Sequence, residues 1–316
     1  MSDGDGEAAL AALRAGGKAA LARALARLEA RPDDGATATL LDAAWAAQSG
    51  HAIGLTGPPG VGKSTLADAL IRAFRAAGRT VAVIAVDPSS RRSGGALLGD
   101  RTRFATDPDD AGVFVRSMAA RDRLGGLAAV AWPALTLMRA LYDRVLVETV
   151  GVGQSETEIA DVADTVVFCA QPGAGDSLQF MKAGVVEIPH LAVVTKADMG
   201  LAARRAVADL RGALSLAVGD APPPVMACSA STGEGLAELV AALEARAAAT
   251  ETLRSQRRAQ LRAWLRRELA ADFGALGLAR LGPTLDDSAL DRAPFMVAAA
   301  ARMRGLRALD AGFTPQ

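Results

Sequence analysis

Residues 52–65 read AIGLTGPPGVGKST, an apolar run that passes through a glycine-rich turn into STLADALIRAFRAAG, where apolar residues recur at helical spacing. Gly57, Gly62, Lys63 and Ser64 fit the pattern G-x-x-x-x-G-K-[ST]. A strand that enters a helix through so short a loop commits the chain to an α/β sheet, with the loop at the carboxyl edge of a strand. The glycines let the backbone wrap a phosphate chain with its amide hydrogens inward, and the helix start adds positive potential. Gly57, Pro58, Pro59, Gly60, Val61, Gly62, Lys63, Ser64 and Thr65 then form the cradle. Lys63 reaches the outer phosphates, and Ser64 offers a hydroxyl to Mg2+.

The remaining pattern fits that sheet. After AIGLT come TVAVIAV, GVFVRS, RVLVETV, DTVVFCA, LAVVT and PVMACSA, several of them apolar on both faces, as parallel strands covered by helices require. Helical stretches such as LAAVAWPALTLMRAL separate them. The expected fold is α/β: a doubly wound, mostly parallel sheet over residues 51–248, with an N-terminal helical segment at 1–50 and a C-terminal helical arm at 249–316. The first segment reads as one helix over 7–31 and a second over 39–48. In the arm, residues 250–273 put Leu261, Trp264, Leu265 and Leu269 on one face and arginines on the other, and 286–304 suggest a further helix.

Composition narrows the function classes. Lys+Arg and Asp+Glu both number 35, so no global field draws nucleic acid or an acidic membrane. Cys169 and Cys228 lie inside apolar runs and read as buried thiols, and with His51 and His190 as the only histidines no Cys/His metal cluster can assemble. The acidic start MSDGDGEAAL does not resemble a targeting peptide, and no run reads as a membrane span, so a cytoplasmic location is expected.

A phosphate loop needs a carboxylate near its metal. Asp87 follows TVAVIAV and Glu148 ends RVLVE, both at strand ends that open on the same crevice. Glu148 and Gly151 make E-x-x-G, one methylene longer than the usual D-x-x-G. Two loops follow these strands: DPSSRRSGGALLGDRTRF, carrying Asp100, Arg101 and Arg103, and VGVGQSETE, carrying Gln154 and Glu156. Glycines interleaved with charges beside a phosphate site suit segments that sense the terminal phosphate. Gln154 or a carboxylate of these loops is a candidate to orient the attacking water.

The base end is written in VVTKADMG and CSAS. Asp198 can accept the paired N1–H and N2–H donors of guanine, Lys196 would lay its stem across the nucleotide plane, and Ser229, Ala230 and Ser231 supply a turn at O6. Thr195 stands where such turns usually carry Asn, which predicts weaker base affinity with guanine preference kept by Asp198.

AVDPSSRRSGGALLGDRTR, ETVGVGQSE, QPGAGDSLQFMKAG and TKAD, in this order, resemble the MeaB/ArgK-type P-loop GTPases, relatives of the methylmalonic aciduria type A protein. The resemblance implies a GTPase that binds GTP and GDP with Mg2+ and serves as chaperone to a cobalamin-dependent acyl-CoA mutase, mainly methylmalonyl-CoA mutase. It would gate adenosylcobalamin loading and protect the mutase. The resemblance puts Asp87, Asp100 and Glu148 at metal and switch positions, with Ser64 as the further metal ligand. Segment 171–184, with Asp176 and Lys182, becomes the switch that signals to the mutase, and the C-terminal helices become a homodimerisation arm. Thr195, Pro189 and His190 depart from the family pattern. Three other classes stay open: an ArgK-type kinase, a metal-insertion GTPase, and a nucleotide-regulated scaffold without turnover.

Overall fold

The computed structural model describes residues 3–31, 34–88, 104, 106–120, 130–149, 158–173, 188–218, 221–282, 285 and 287–310. Helices in chain order are α1 Asp3–Ala15, α2 Gly17–Ala30, α3 Gly35–Ala47, α4 Lys63–Ala76 and α5 Ala131–Leu141. They continue as α6 Leu201–Val218, α7 Leu236–Ala247, α8 Thr250–Leu281, α9 Asp287–Arg292 and α10 Pro294–Asp310. The chain divides into two compact units, one of Gly50–Ala128 and Tyr142–Leu253, the other of Met1–Ser49, Ala129–Leu141 and Arg254–Gln316.

The first unit holds the sheet. Its strands are β1 His51–Thr56, β2 Val81–Pro88, β3 Val113–Ala120, β4 Arg144–Glu148, β5 Thr165–Ala170, β6 Leu191–Val194 and β7 Val225–Ala227. The described strands form one seven-stranded sheet in the order β3-β2-β4-β1-β5-β6-β7, and every pairing is parallel. The expected α/β architecture is the observed one. The period of two sends alternate residues to opposite layers. Ile53, Leu55, Val167 and Cys169 pack with Leu66, Leu70 and Phe74 of α4 and with Leu239 and Leu243 of α7. Phe168, Ala170, Ala192 and Val194 pack on the other face with Leu210 and Leu214 of α6. Each such Leu or Phe contributes about 1.5–3 kcal/mol by leaving water. Central β1, flanked by β4 and β5, is buried along its whole length, and its carboxyl end leads into the loop that starts at Gly57.

In the second unit the single helix expected over 7–31 is two. The chain breaks at Gly16–Gly17, where Gly17 takes φ +58°, a conformation that a side chain resists. The helix expected over 286–304 is likewise two, α9 and α10, divided just before Pro294, whose missing N–H suits a first helical position. Leu261, Trp264, Leu265 and Leu269 of α8 are all buried, as their spacing predicts, and α8 turns at Gly274. All three tryptophans meet here: Trp132 lies with ring centroids 5.6 Å from Trp45, 5.6 Å from Trp264 and 5.9 Å from Phe295. Asp42 of α3 accepts hydrogen bonds from the Phe295 and Met296 amides at 2.7 and 3.1 Å, satisfying N–H groups at the start of α10.

Candidate functional site

The turn between β1 and α4 carries the predicted loop residues. Gly57 has φ +131°, and a Cβ there would lie 2.2 Å from the Cys169 carbonyl oxygen on neighbouring β5, so only glycine lets the loop leave the sheet at this point. Gly62 ends the loop at φ +93°, in the left-handed region, immediately before α4. Lys63 is 5% exposed, and its Nζ donates to the carbonyls of Gly57 at 2.7 Å and Pro58 at 2.9 Å. The ammonium is thus held over its own loop.

Ser64 Oγ donates to Glu148 Oε1. Their meeting follows from register, because Glu148 ends β4 opposite Leu55 of β1 and Ala85 of β2. The buried carboxylate and the hydroxyl form an all-oxygen donor pair, the chemistry that a hard cation such as Mg2+ takes. Asp87 lies two residues beyond Ala85 on β2, opposite Ala119 of β3, so its backbone is at the same sheet edge. Asp100, Arg101, Arg103, Gln154, Glu156, Asp176 and Lys182 lie outside the described residues. Among the described residues no group of three or more His, Cys, Asp or Glu is placed to hold a metal ion.

The residues expected at the base come from the next two strand ends. Lys196 takes φ 56° and ψ 44°, the positive-φ non-glycine among the described residues, at a cost of about 1–2 kcal/mol. Such strain is kept where the surroundings over-determine it. Here Lys196 Nζ donates to Gln171 Oε1 at 2.5 Å, and the Met199 amide donates to the Lys196 carbonyl at 3.0 Å. Ser229 Oγ donates to Asp198 Oδ1 at 2.5 Å and lies 2.9 Å from Ser231 Oγ. The two turns are joined through Cys228, whose amide donates to Val194 O at 2.9 Å and whose carbonyl accepts from Ala197 N at 3.3 Å. A cavity of about 120 Å3 joins these turns to the phosphate loop, lined by Gly62, Thr65, Thr195, Lys196, Asp198, Ser229, Ala230 and Ser231 among others.

Thr195 is placed differently from the other base-end residues. Its hydroxyl points at backbone, 2.6 Å from Val61 O and 3.0 Å from Ala170 O. Gln171 was not expected beside Lys196; its place at the end of β5, next to β6 in a parallel pair, is the signal that brings the two together.

Both cysteines are free and buried. Burial pushes the Cys169 thiol up to about 12, with the Lys63 charge opposing and Glu148 adding to the rise, and pushes the Cys228 thiol up to about 11. Neither is a nucleophile at neutral pH. Among the described residues no helix is long and apolar enough to cross a membrane.

One end of this crevice carries the glycine-rich loop between β1 and α4 and the other the turns after β6 and β7, and this loop on an all-parallel sheet defines the P-loop GTPase class of fold. The sequence profile described as "Methylmalonyl Co-A mutase-associated GTPase MeaB" matches residues 21–274. The chain belongs to the MeaB family. It is 37% identical to GTPase ArgK of Escherichia coli over 81% of each chain, and 38% identical to the mitochondrial methylmalonic aciduria type A homolog of Mus musculus over 67% of this chain and 54% of that one. A Pyrococcus horikoshii protein named "Putative GTPase" is 54% identical over 149 residues, so the match spans about half (47%) of that relative's length. The crystal structure of a protein named LAO/AO transport system kinase superposes with a TM-score of 0.62 at 28% identity, covering 98% of each chain.

Proposed function

We propose that this GTPase hydrolyses GTP to GDP and phosphate as the nucleotide-gated partner of a cobalamin-dependent acyl-CoA mutase, with methylmalonyl-CoA mutase the first candidate. The observation that carries the nucleotide part is the Lys63 ammonium held over the loop beside the Ser64–Glu148 pair. The mutase part is supported by the family profile, whose description names that enzyme, and by the likeness to the methylmalonic aciduria type A homolog.

In this reading the loop amides and Lys63 hold the β- and γ-phosphates and offset the charge that spreads over the γ-phosphoryl oxygens as its bond to the leaving oxygen loosens. Ser64, Glu148, Asp87 and Asp100 are the residues that would hold Mg2+, which when bound supplies further charge neutralisation at those oxygens. Asp198 selects guanine, Lys196 covers the ring, and the turn at Ser229, Ala230 and Ser231 caps O6. Gln154 or a neighbouring carboxylate orients the attacking water. Segment 171–184 carries the nucleotide state to the mutase, and the helices after residue 249 pair with a second copy of the chain.

Affinity purification from native lysate with a non-hydrolysable GTP analogue tests the partner. Recovery of a cobalamin-dependent mutase supports the reading, and its absence in every nucleotide state overturns it. The superposed structure bears the name of a kinase, and phosphoryl transfer to an acceptor is accordingly a second reading. Incubation with labelled GTP and candidate acceptors separates the two: label found only in inorganic phosphate removes the kinase.

A further inference from the structure

The position at which this chain departs from the usual guanine-reading turn is also the position where its two loops are fastened together. Thr195 follows β6, is 5% exposed, and its amide extends the sheet ladder by donating to Ala170 O at 2.8 Å. Its hydroxyl proton has two backbone acceptors, Val61 O at 2.6 Å inside the phosphate loop and Ala170 O at 3.0 Å at the end of β5. Gly62 is near as well, since a Cβ built there would lie 3.9 Å from Thr195 Oγ1. The hydroxyl is therefore engaged on the side of the phosphate loop, while Lys196, Asp198 and the serines of the next turn line the base cavity with it.

We infer that Thr195 is a positioning residue whose hydroxyl fastens the phosphate loop to the base-reading turn, rather than a group that reads the base. The inference rests on the guanine-nucleotide reading above. A nucleotide is a two-headed ligand, with its base and its phosphates bound by different loops. When the two half-sites are held at a fixed spacing, binding of one head presents the other at high effective concentration. Without the fastening, ordering the two loops relative to each other is charged against the binding of the whole ligand. Each head alone needs only its own half-site and is indifferent to the spacing. Threonine has a donor short enough to reach the Val61 carbonyl from β6, and valine keeps its shape without the donor.

The experiment measures dissociation constants of GDP, guanosine and pyrophosphate in magnesium buffer for the wild-type chain, Thr195→Val and Thr195→Ser. Thr195→Val is expected to weaken GDP about tenfold, the scale of one buried hydrogen bond, while guanosine and pyrophosphate keep their wild-type affinities. Thr195→Ser is expected to restore GDP. The inference is overturned if guanosine weakens as much as GDP, because the hydroxyl would then be reading the base. It is overturned equally if pyrophosphate weakens as much as GDP, or if GDP is unaffected. Should Thr195→Val fail to fold, Thr195→Ala, which also lacks the donor, is read in its place with the same expected and overturning outcomes. A wild-type chain that does not bind GDP at all instead overturns the guanine-nucleotide reading, and it does so before any variant is made.

Discussion

The Lys63 ammonium donates to the carbonyl of Gly57 at 2.7 Å, so the lysine is folded onto the loop that presents it. With the Pro58 carbonyl at 2.9 Å it is held by two neutral oxygens, the weaker class of acceptor beside charged phosphate. Lys63→Ala is expected to lower GTP hydrolysis by at least about a hundredfold, the scale of losing one preorganised cation at developing charge. Folding stability should change by about 1–2 kcal/mol, the scale of the two hydrogen bonds to loop carbonyls that are lost. Phosphate release and a denaturant titration on the same preparation separate the effects.

Gly57 tests the loop by sterics instead of charge. An added Cβ would sit 2.2 Å from the Cys169 carbonyl oxygen, and the φ of +131° disfavours any side chain. The obstacle is backbone, which cannot swing aside as a side-chain tip can. Gly57→Ala should cost about 2–4 kcal/mol and abolish measurable nucleotide binding. Urea denaturation and fluorescent-GDP titration check both, and a variant of wild-type stability would mean that β5 can yield.

Asp42 offers a prediction in the helical unit. Its carboxylate accepts from two amides at the start of α10, 2.7 and 3.1 Å away, although 253 residues separate it from Phe295 in the chain. Asp42→Ala should cost about 1–2 kcal/mol, as loss of a helix cap does. Asp42→Asn, which keeps one acceptor, should cost less. Ranking the denaturation midpoints of the three proteins decides it.

The parts of this molecule that could be read in the sequence are those written locally. The strand-loop-helix at Gly57–Thr65 needs only neighbours along the chain, and the apolar runs identify β1 to β7 because strands buried on both faces leave few polar positions. The break at Gly16–Gly17 is hidden in the sequence because apolar periodicity continues across it, with Leu13 and Leu21 both buried. The bonds from Thr195 to Val61 and from Lys196 to Gln171 span 134 and 25 residues, and no periodicity records them. The same holds for the stacking of Trp132 on Trp264, which joins α5 and α8 in one unit.

His190 makes stability depend on pH. Burial, with the Arg246 charge adding and Asp164 opposing, lowers its pKa from 6.5 to about 4, and its Nδ1 accepts the Val166 amide at 3.0 Å. Between these values the unfolded chain binds a proton that the folded one does not, so folding stability falls as pH falls. The contribution is complete above 6.5 and is lost progressively toward pH 4. His190→Gln keeps an acceptor for the amide without titrating. Its urea midpoint should fall less than that of the wild-type chain across this window.

In the proposed reading Asp198 carries the base preference, and that chemistry can be inverted. A carboxylate accepts both the N1–H and the N2–H of guanine. An asparagine accepts one and donates one, which matches the N1–H and O2 of xanthine. Ser229 Oγ holds Asp198 Oδ1 at 2.5 Å and fixes how the group faces the cavity, and an asparagine oxygen can accept the same bond. Asp198→Asn should therefore keep the side chain in place while changing what it reads. GDP should weaken by about a hundredfold, the scale of charge-assisted bonds lost and a buried donor left opposed, while XDP should tighten. Competition of both nucleotides against a fluorescent analogue measures the ratio. If the two weaken together, the carboxylate serves the Ser229 contact and base discrimination lies elsewhere in the turn.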